Sequence, residues 1–124
     1  MKTVKNLILG IFLVATSFAA NAQKNVVKTV ALEQTKGEFT QQSITLSPGD
    51  YVFEIANNGI DHEVGFVLAP KGKTDQAHHI KNAYVTSTVK KDSKSKSKVV
   101  SLEKGEYTYF CPLNPTPQYT LIVK

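Results

Sequence analysis

Arginine and tryptophan are absent from the 124 residues, and cysteine and methionine occur once each, as Cys111 and Met1. One thiol cannot form an intramolecular disulfide, so the chain is not a disulfide-stapled scaffold. Without arginine, the planar fork that reads base edges is missing, and nucleic acid is not an expected partner. Phosphate loops, paired-glycine fingerprints and HExxH helices are also absent. The size excludes a dinucleotide-binding unit with a second domain, or a barrel of alternating strands and helices. One small domain is expected.

What is present begins with Met1, Lys2 and Lys5 ahead of an apolar run from Leu7 to Ala20. That run is about 14 residues, short of the roughly 20 that cross a bilayer. It reads as a secretory signal peptide, with Ala20-Asn21-Ala22 supplying the small residues of a cleavage site. The expected division is a cleaved segment 1–22 and one domain over 23–124, periplasmic or secreted and without a membrane span. Losing Lys2 and Lys5 takes the formal net charge from +5 to +3. The remaining lysines are spread out except for the run Lys90 to Lys98, expected to be a solvated loop or a docking surface for an acidic partner.

The rest of the chain alternates short β-type runs with turn signals. Expected strands are Val26 to Leu32, Ser43 to Leu46, Tyr51 to Ala56, Val64 to Leu68, Tyr84 to Val89, Val99 to Leu102, Tyr107 to Cys111 and Tyr119 to Val123. Pro48-Gly49-Asp50, Asn57-Asn58-Gly59, Pro70-Lys71-Gly72 and Lys104-Gly105 mark turns between them. Seven or eight strands at this spacing predict an all-β, Greek-key β-sandwich. Tyr51, Phe53 and Ile55 form one inward stripe, and Val64, Phe66 and Leu68 another. Tyr107, Tyr109 and Cys111 share a face, so the thiol continues an aromatic row. The segment 73–82, with His78 and His79, lacks alternation and is expected to be a loop or short helix.

A lone exported thiol is a packed small hydrophobe, a metal thiolate or a nucleophile. His62, Cys111, Asn114 and Gln118 sit where two loops of a sandwich meet. A thiol-protease reading fails on chain length and residue order. Zinc fails on ligand number and spacing, even counting the His78-His79 pair. The runs Leu46-Ser47-Pro48-Gly49-Asp50-Tyr51-Val52-Phe53, Asn57-Asn58-Gly59-Ile60-Asp61-His62 and Gly105-Glu106-Tyr107-Thr108-Tyr109-Phe110-Cys111-Pro112 resemble, in that order, the cupredoxins, the plastocyanin and amicyanin family.

That resemblance implies a single copper ion in a type 1 site and one-electron transfer without enzymatic activity. Such a site takes a trigonal plane of two imidazoles and one thiolate with a weak axial ligand. His62 matches the first imidazole and Cys111 the thiolate. Asn114 stands where the second imidazole is expected, and Gln118 is the available axial oxygen. The expected partner is a redox protein docking near the copper loop or the Lys90 to Lys98 run, with the chain itself a monomer. Two alternatives stay open: a metal-free module that keeps the fold, and a carrier holding Cu(I) through Cys111 and His62. Pro112, Pro115 and Pro117 stiffen the loop in each case.

Overall fold

The computed structural model describes residues 26–124, and the expected signal segment lies outside the described residues. Among these, nine strands occur: β1 (Val27–Thr35), β2 (Glu38–Phe39), β3 (Ser43–Leu46), β4 (Gly49–Asn57), β5 (Val67–Pro70), β6 (Lys94–Lys96), β7 (Val100–Leu102), β8 (Gly105–Phe110) and β9 (Tyr119–Val123). One sheet runs β3-β9-β8-β5 and the other β2-β1-β4-β6, with β7 also on β4. This is the expected all-β sandwich. Two ladders are parallel, β1 with β4 and β3 with β9, so each sheet is closed by strands distant in sequence.

The pattern of β4 shows why the sheets face each other. Tyr51, Phe53 and Ile55 are buried while Val52, Glu54 and Ala56 between them are half-buried, the two-residue period of a strand covered on one side. The opposite layer contributes Phe66, Leu68, Tyr109, Leu121 and Val123. Phe39, from the two-residue β2, is fully buried and meets Phe66, Tyr109 and Tyr119 edge-on at centroid distances of 6.0, 5.3 and 5.8 Å. Edge-to-face contact suits the ring quadrupoles, so one short strand is pinned by three rings. Two turns are closed alike, Tyr51 Oη donating to Ser47 O at 2.6 Å and Tyr107 Oη to Glu103 O at 2.8 Å.

Three sequence expectations are corrected. Tyr84 to Val89 is not a strand; it touches its neighbours through isolated bridges, Val85 with Ser97 and Val64 with Val89. Thr86, Ser87 and Thr88 are exposed, so Val85 and Val89 turn to the core without a continuous alternating face between them. The lysine run is not wholly loop, because its centre is β6, where Lys96 pairs with Glu54 across the ladder and both lysines of the strand stay exposed. Finally, 64–69 is buried at every position rather than on alternate ones. The reason is a second cover: residues after β5 fold back, with Ile80 N–H donating to Leu68 O at 2.8 Å. The 73–82 segment carries two short 3₁₀ turns, Gln76–His78 and Lys81–Ala83, in line with the expected loop or short helix.

Tyr109 is fully buried among these rings and its hydroxyl donates to Gln41 O. Burial, then the neighbouring Tyr119, pushes its phenol up to about 12. The unfolded phenol ionises near 10. Below about pH 10 both states hold the proton; between about 10 and 12 the unfolded chain releases it first, so stability falls as pH rises. Urea unfolding from about pH 9.5 to 11.5 should therefore show a shallower loss in Tyr109→Phe than in the parent. Equal slopes would remove Tyr109 from the alkaline transition.

Candidate functional site

The end of the sandwich that carries the candidate residues is built by two loops. The first leaves β4 at Asn57, a 1% exposed amide. Its Oδ1 accepts from Ile60 N–H at 2.9 Å, and its Nδ2 donates to His62 O at 2.9 Å and Val89 O at 3.1 Å. A buried amide bonding the chain a few residues on makes the turn and fixes where His62 stands. Gly59, at φ +77°, takes the left-handed position within that turn.

His62 is exposed, and its Nδ1 lies 3.1 Å from the carbonyl of Glu63. A carbonyl only accepts, so Nδ1 carries the hydrogen and Nε2 presents its lone pair, with no protein partner among the described residues. Beside it, Lys91 Nζ is 2.9 Å from Asp61 Oδ1. Lys91 holds the Asp61 carboxyl below its usual range, and the carboxylate in turn raises Lys91. Both side chains are exposed, and such pairs contribute little stability.

The second loop begins where β8 ends. Cys111 continues the inward row of Tyr107 and Tyr109 and is 1% exposed. Its Sγ accepts two backbone N–H bonds, from Gly65 and from Asn114, each at 3.3 Å. The loop closes on itself through Thr116, whose Oγ1 accepts from Cys111 N–H at 3.1 Å while its N–H donates to Cys111 O at 3.3 Å.

Asn114 is 2% exposed, and its side chain turns to the β1–β2 hairpin. Oδ1 accepts from Gly37 N–H at 2.7 Å; Nδ2 donates to Gln34 Oε1 at 3.0 Å and to Thr35 O at 2.9 Å. Gln34, fully buried, passes the chain of bonds to Gly65 O at 2.7 Å. The structure thus brings Cys111 and Asn114 into contact, but through the Asn114 backbone. Both Asn114 amide hydrogens are spent on the hairpin, and its oxygen accepts from Gly37 N–H. Gln118 is exposed just ahead of β9. His62 lines a hollow with Lys36, next to the Gly37 that Asn114 holds, so it shares the end of the sandwich with Cys111.

The two other histidines are used elsewhere. His78 pairs with Asp75 at 2.9 Å and holds that carboxyl below its usual range. His79 bonds Tyr84 Oη through Nδ1 at 2.7 Å and Thr74 O through Nε2 at 2.9 Å, with its ring edge-on to Phe110. Among the described residues no group of three or more His, Cys, Asp and Glu side chains could hold a metal ion. Sequence reasoning missed Gln34, although its signal was there: it follows Leu32 on the inward face of β1, where an amide must find partners. Next to the loop, Gly65, Phe66, Tyr84, Val85, Pro112 and Leu113 line an apolar hollow, with Leu113 50% exposed.

The family model described as a Cupredoxin-like domain matches residues 6–123. Among solved structures, auracyanin A, a "blue" copper protein from Chloroflexus aurantiacus, is 16% identical with a TM-score of 0.64, covering 80% of this chain and 100% of its own. Auracyanin B is 17% identical with a TM-score of 0.62, over 78% of this chain and 88% of its own. Amicyanin from Paracoccus versutus is 20% identical with a TM-score of 0.53, over 77% and 81%. No curated protein matches the chain. Among the described residues no helix is long and apolar enough to cross a membrane.

Replacing Asn57 by alanine leaves Ile60 N–H and the His62 carbonyl without their partner, while Val89 O keeps Val64 N–H. The expected cost is about 2 kcal/mol, the penalty for orphaned buried polar groups, read from the urea midpoint. A loss below about 0.5 kcal/mol would show that the first loop does not depend on this amide.

Proposed function

The chain belongs to the cupredoxin-like domain family, and from that premise we propose that it is an exported, non-enzymatic copper-handling protein that holds Cu(I) through Cys111 and His62. The observation that carries this reading is the sulfur: a buried Sγ under two N–H groups, one from each loop, at the end of the sandwich where His62 offers an unpartnered Nε2.

The donors present do not fit a blue type 1 centre. That geometry needs a second imidazole in the plane of the thiolate. Asn114 is bonded to the hairpin, Gln118 is exposed, His78 is paired with Asp75, and His79 bonds Tyr84 Oη and Thr74 O. One thiolate and one imidazole are a soft, low-coordinate set that suits Cu(I). Copper bound there supplies a one-electron couple or a transferable ion. The chain's own residues set the conditions. Glu63 O fixes the His62 tautomer, as the second partner of a ligating histidine does. Gly65 and Asn114 N–H groups face the sulfur, and hydrogen bonds at a ligating sulfur tune what it holds. The exposed lysines of β6, with Lys90 and Lys98, give an acidic redox or acceptor protein a face to approach.

A second reading is favoured by the closed amide network around Asn114. A site already satisfied by protein bonds suits a metal-free binding module that keeps the fold.

Titration of the purified exported chain with Cu(II) and then Cu(I), followed by metal analysis after desalting, separates these. Colourless retention of one Cu(I), lost in Cys111→Ala and weakened about tenfold or more in His62→Ala, is expected. An intense thiolate-to-copper band with Cu(II) would replace this reading with a blue electron-transfer centre. Retention of neither ion would leave the metal-free module.

A further inference from the structure

The amides of Gln34 and Asn114 close a ring of hydrogen bonds that passes through the thiol. From Cys111 Sγ the ring runs to Gly65 N–H, through the same residue's carbonyl to Gln34 Nε2, from Gln34 Oε1 to Asn114 Nδ2, and from Asn114 N–H back to Sγ. Two side bonds fasten it to the β1–β2 hairpin, Gly37 N–H into Asn114 Oδ1 and Asn114 Nδ2 into Thr35 O. The orientation of the Asn114 amide is fixed by these partners, because a flip would set its Nδ2 against the Gly37 N–H and its oxygen against the Thr35 carbonyl. Gly37 sits at φ +78°, the left-handed turn position that aims its N–H outward from the hairpin.

We infer that Gln34 and Asn114 are positioning residues, a buried latch that aims two backbone N–H groups at the Cys111 sulfur and shuts the loop over it. Neither side chain reaches solvent and neither is apolar, so packing alone does not account for them: a buried amide is kept where its bonds specify one arrangement. Three segments distant in sequence, 34–37, 65 and 111–114, are tied by amide bonds rather than by a shared ladder. Any movement that bares the sulfur has to break at least one of them. The latch therefore governs access to the thiol, and it does so whether or not copper binds.

The test uses the copper-free exported chain and two readouts, the rate of Cys111 alkylation by iodoacetamide under native conditions and amide hydrogen exchange. The variants are Asn114→Ala and Gln34→Met, with Val123→Ala as a control that loosens the core at β9 without touching the latch. Both latch variants should alkylate at least about tenfold faster than the parent, tenfold being the effect of a single buried bond where Gln34→Met removes two and Asn114→Ala three. Exchange at the Gly65 and Asn114 N–H groups should rise while the β9 amides change no more than in the control. If Asn114→Ala does not fold, Gln34→Met carries the test. Alkylation no faster than in Val123→Ala, or exchange rising equally everywhere, would overturn the latch and reduce the pair to general stability. Copper retention is read separately, so failure of the copper reading leaves this result standing, and the reverse also holds.

Discussion

A glutamine side chain with no exposure needs a partner for its nitrogen and another for its oxygen inside a β-sandwich, and the end of this molecule is organised around that requirement. Gln34 is placed inward by the two-residue period of β1, behind Leu32. Burying an unpaired amide is costly, so both loops at this end are drawn to it, Gly65 by its carbonyl and the cysteine loop by Asn114. The sulfur is then positioned at second hand, by the backbone of residues whose other groups answer to Gln34. This inverts the usual order of explanation for a loop rich in proline: Pro112, Pro115 and Pro117 limit what the loop can do, but the amides decide which arrangement it adopts.

How much of this was legible in sequence depended on whether the cue was local. Strand β4 declared itself through Tyr51, Phe53 and Ile55, and β9 through Tyr119, Leu121 and Val123, because alternation is written along the strand that shows it. Cys111 was placed on the buried row for the same reason. Strand β2 was not legible, since two residues carry no period and Phe39 is defined by rings that arrive from elsewhere. Strand β6 was hidden by its composition: lysines and serines read as loop until Glu54 and Ala56 supply a ladder. Tyr84 to Val89 erred the other way, β-branched residues that make isolated bridges instead of a ladder. At the candidate site, residue types and order singled out two loops that meet at the Cys111 sulfur. The direction of the Asn114 side chain did not follow from spacing, because it is set by partners about eighty positions away.

The charged groups are arranged on a different principle from the amides. Lys71 with Glu106 and Lys91 with Asp61 are exposed pairs at 2.8 and 2.9 Å; they raise both ammonium groups and lower Asp61 without holding the fold. Polar specificity lies inside, and charge lies outside on mobile stems. A basic surface made of lysine alone gives point charges of long reach and no fork geometry, so it attracts acidic surfaces without fixing their register.

The two parallel ladders have a consequence for how the molecule comes into being. Strand β9, the last in the chain, lies between β3 and β8 and supplies Leu121 and Val123 to the centre of the core. Its parallel pairing with β3 joins positions such as Ser43 and Thr120, 77 residues apart. Until the final residues are available, one sheet has a gap in its middle and β3 has no strand beside it. Long-range closure of this kind is slow and comes late. The sandwich therefore stays open until β9 docks between β3 and β8, and the core it completes is the last part of the molecule to become dry.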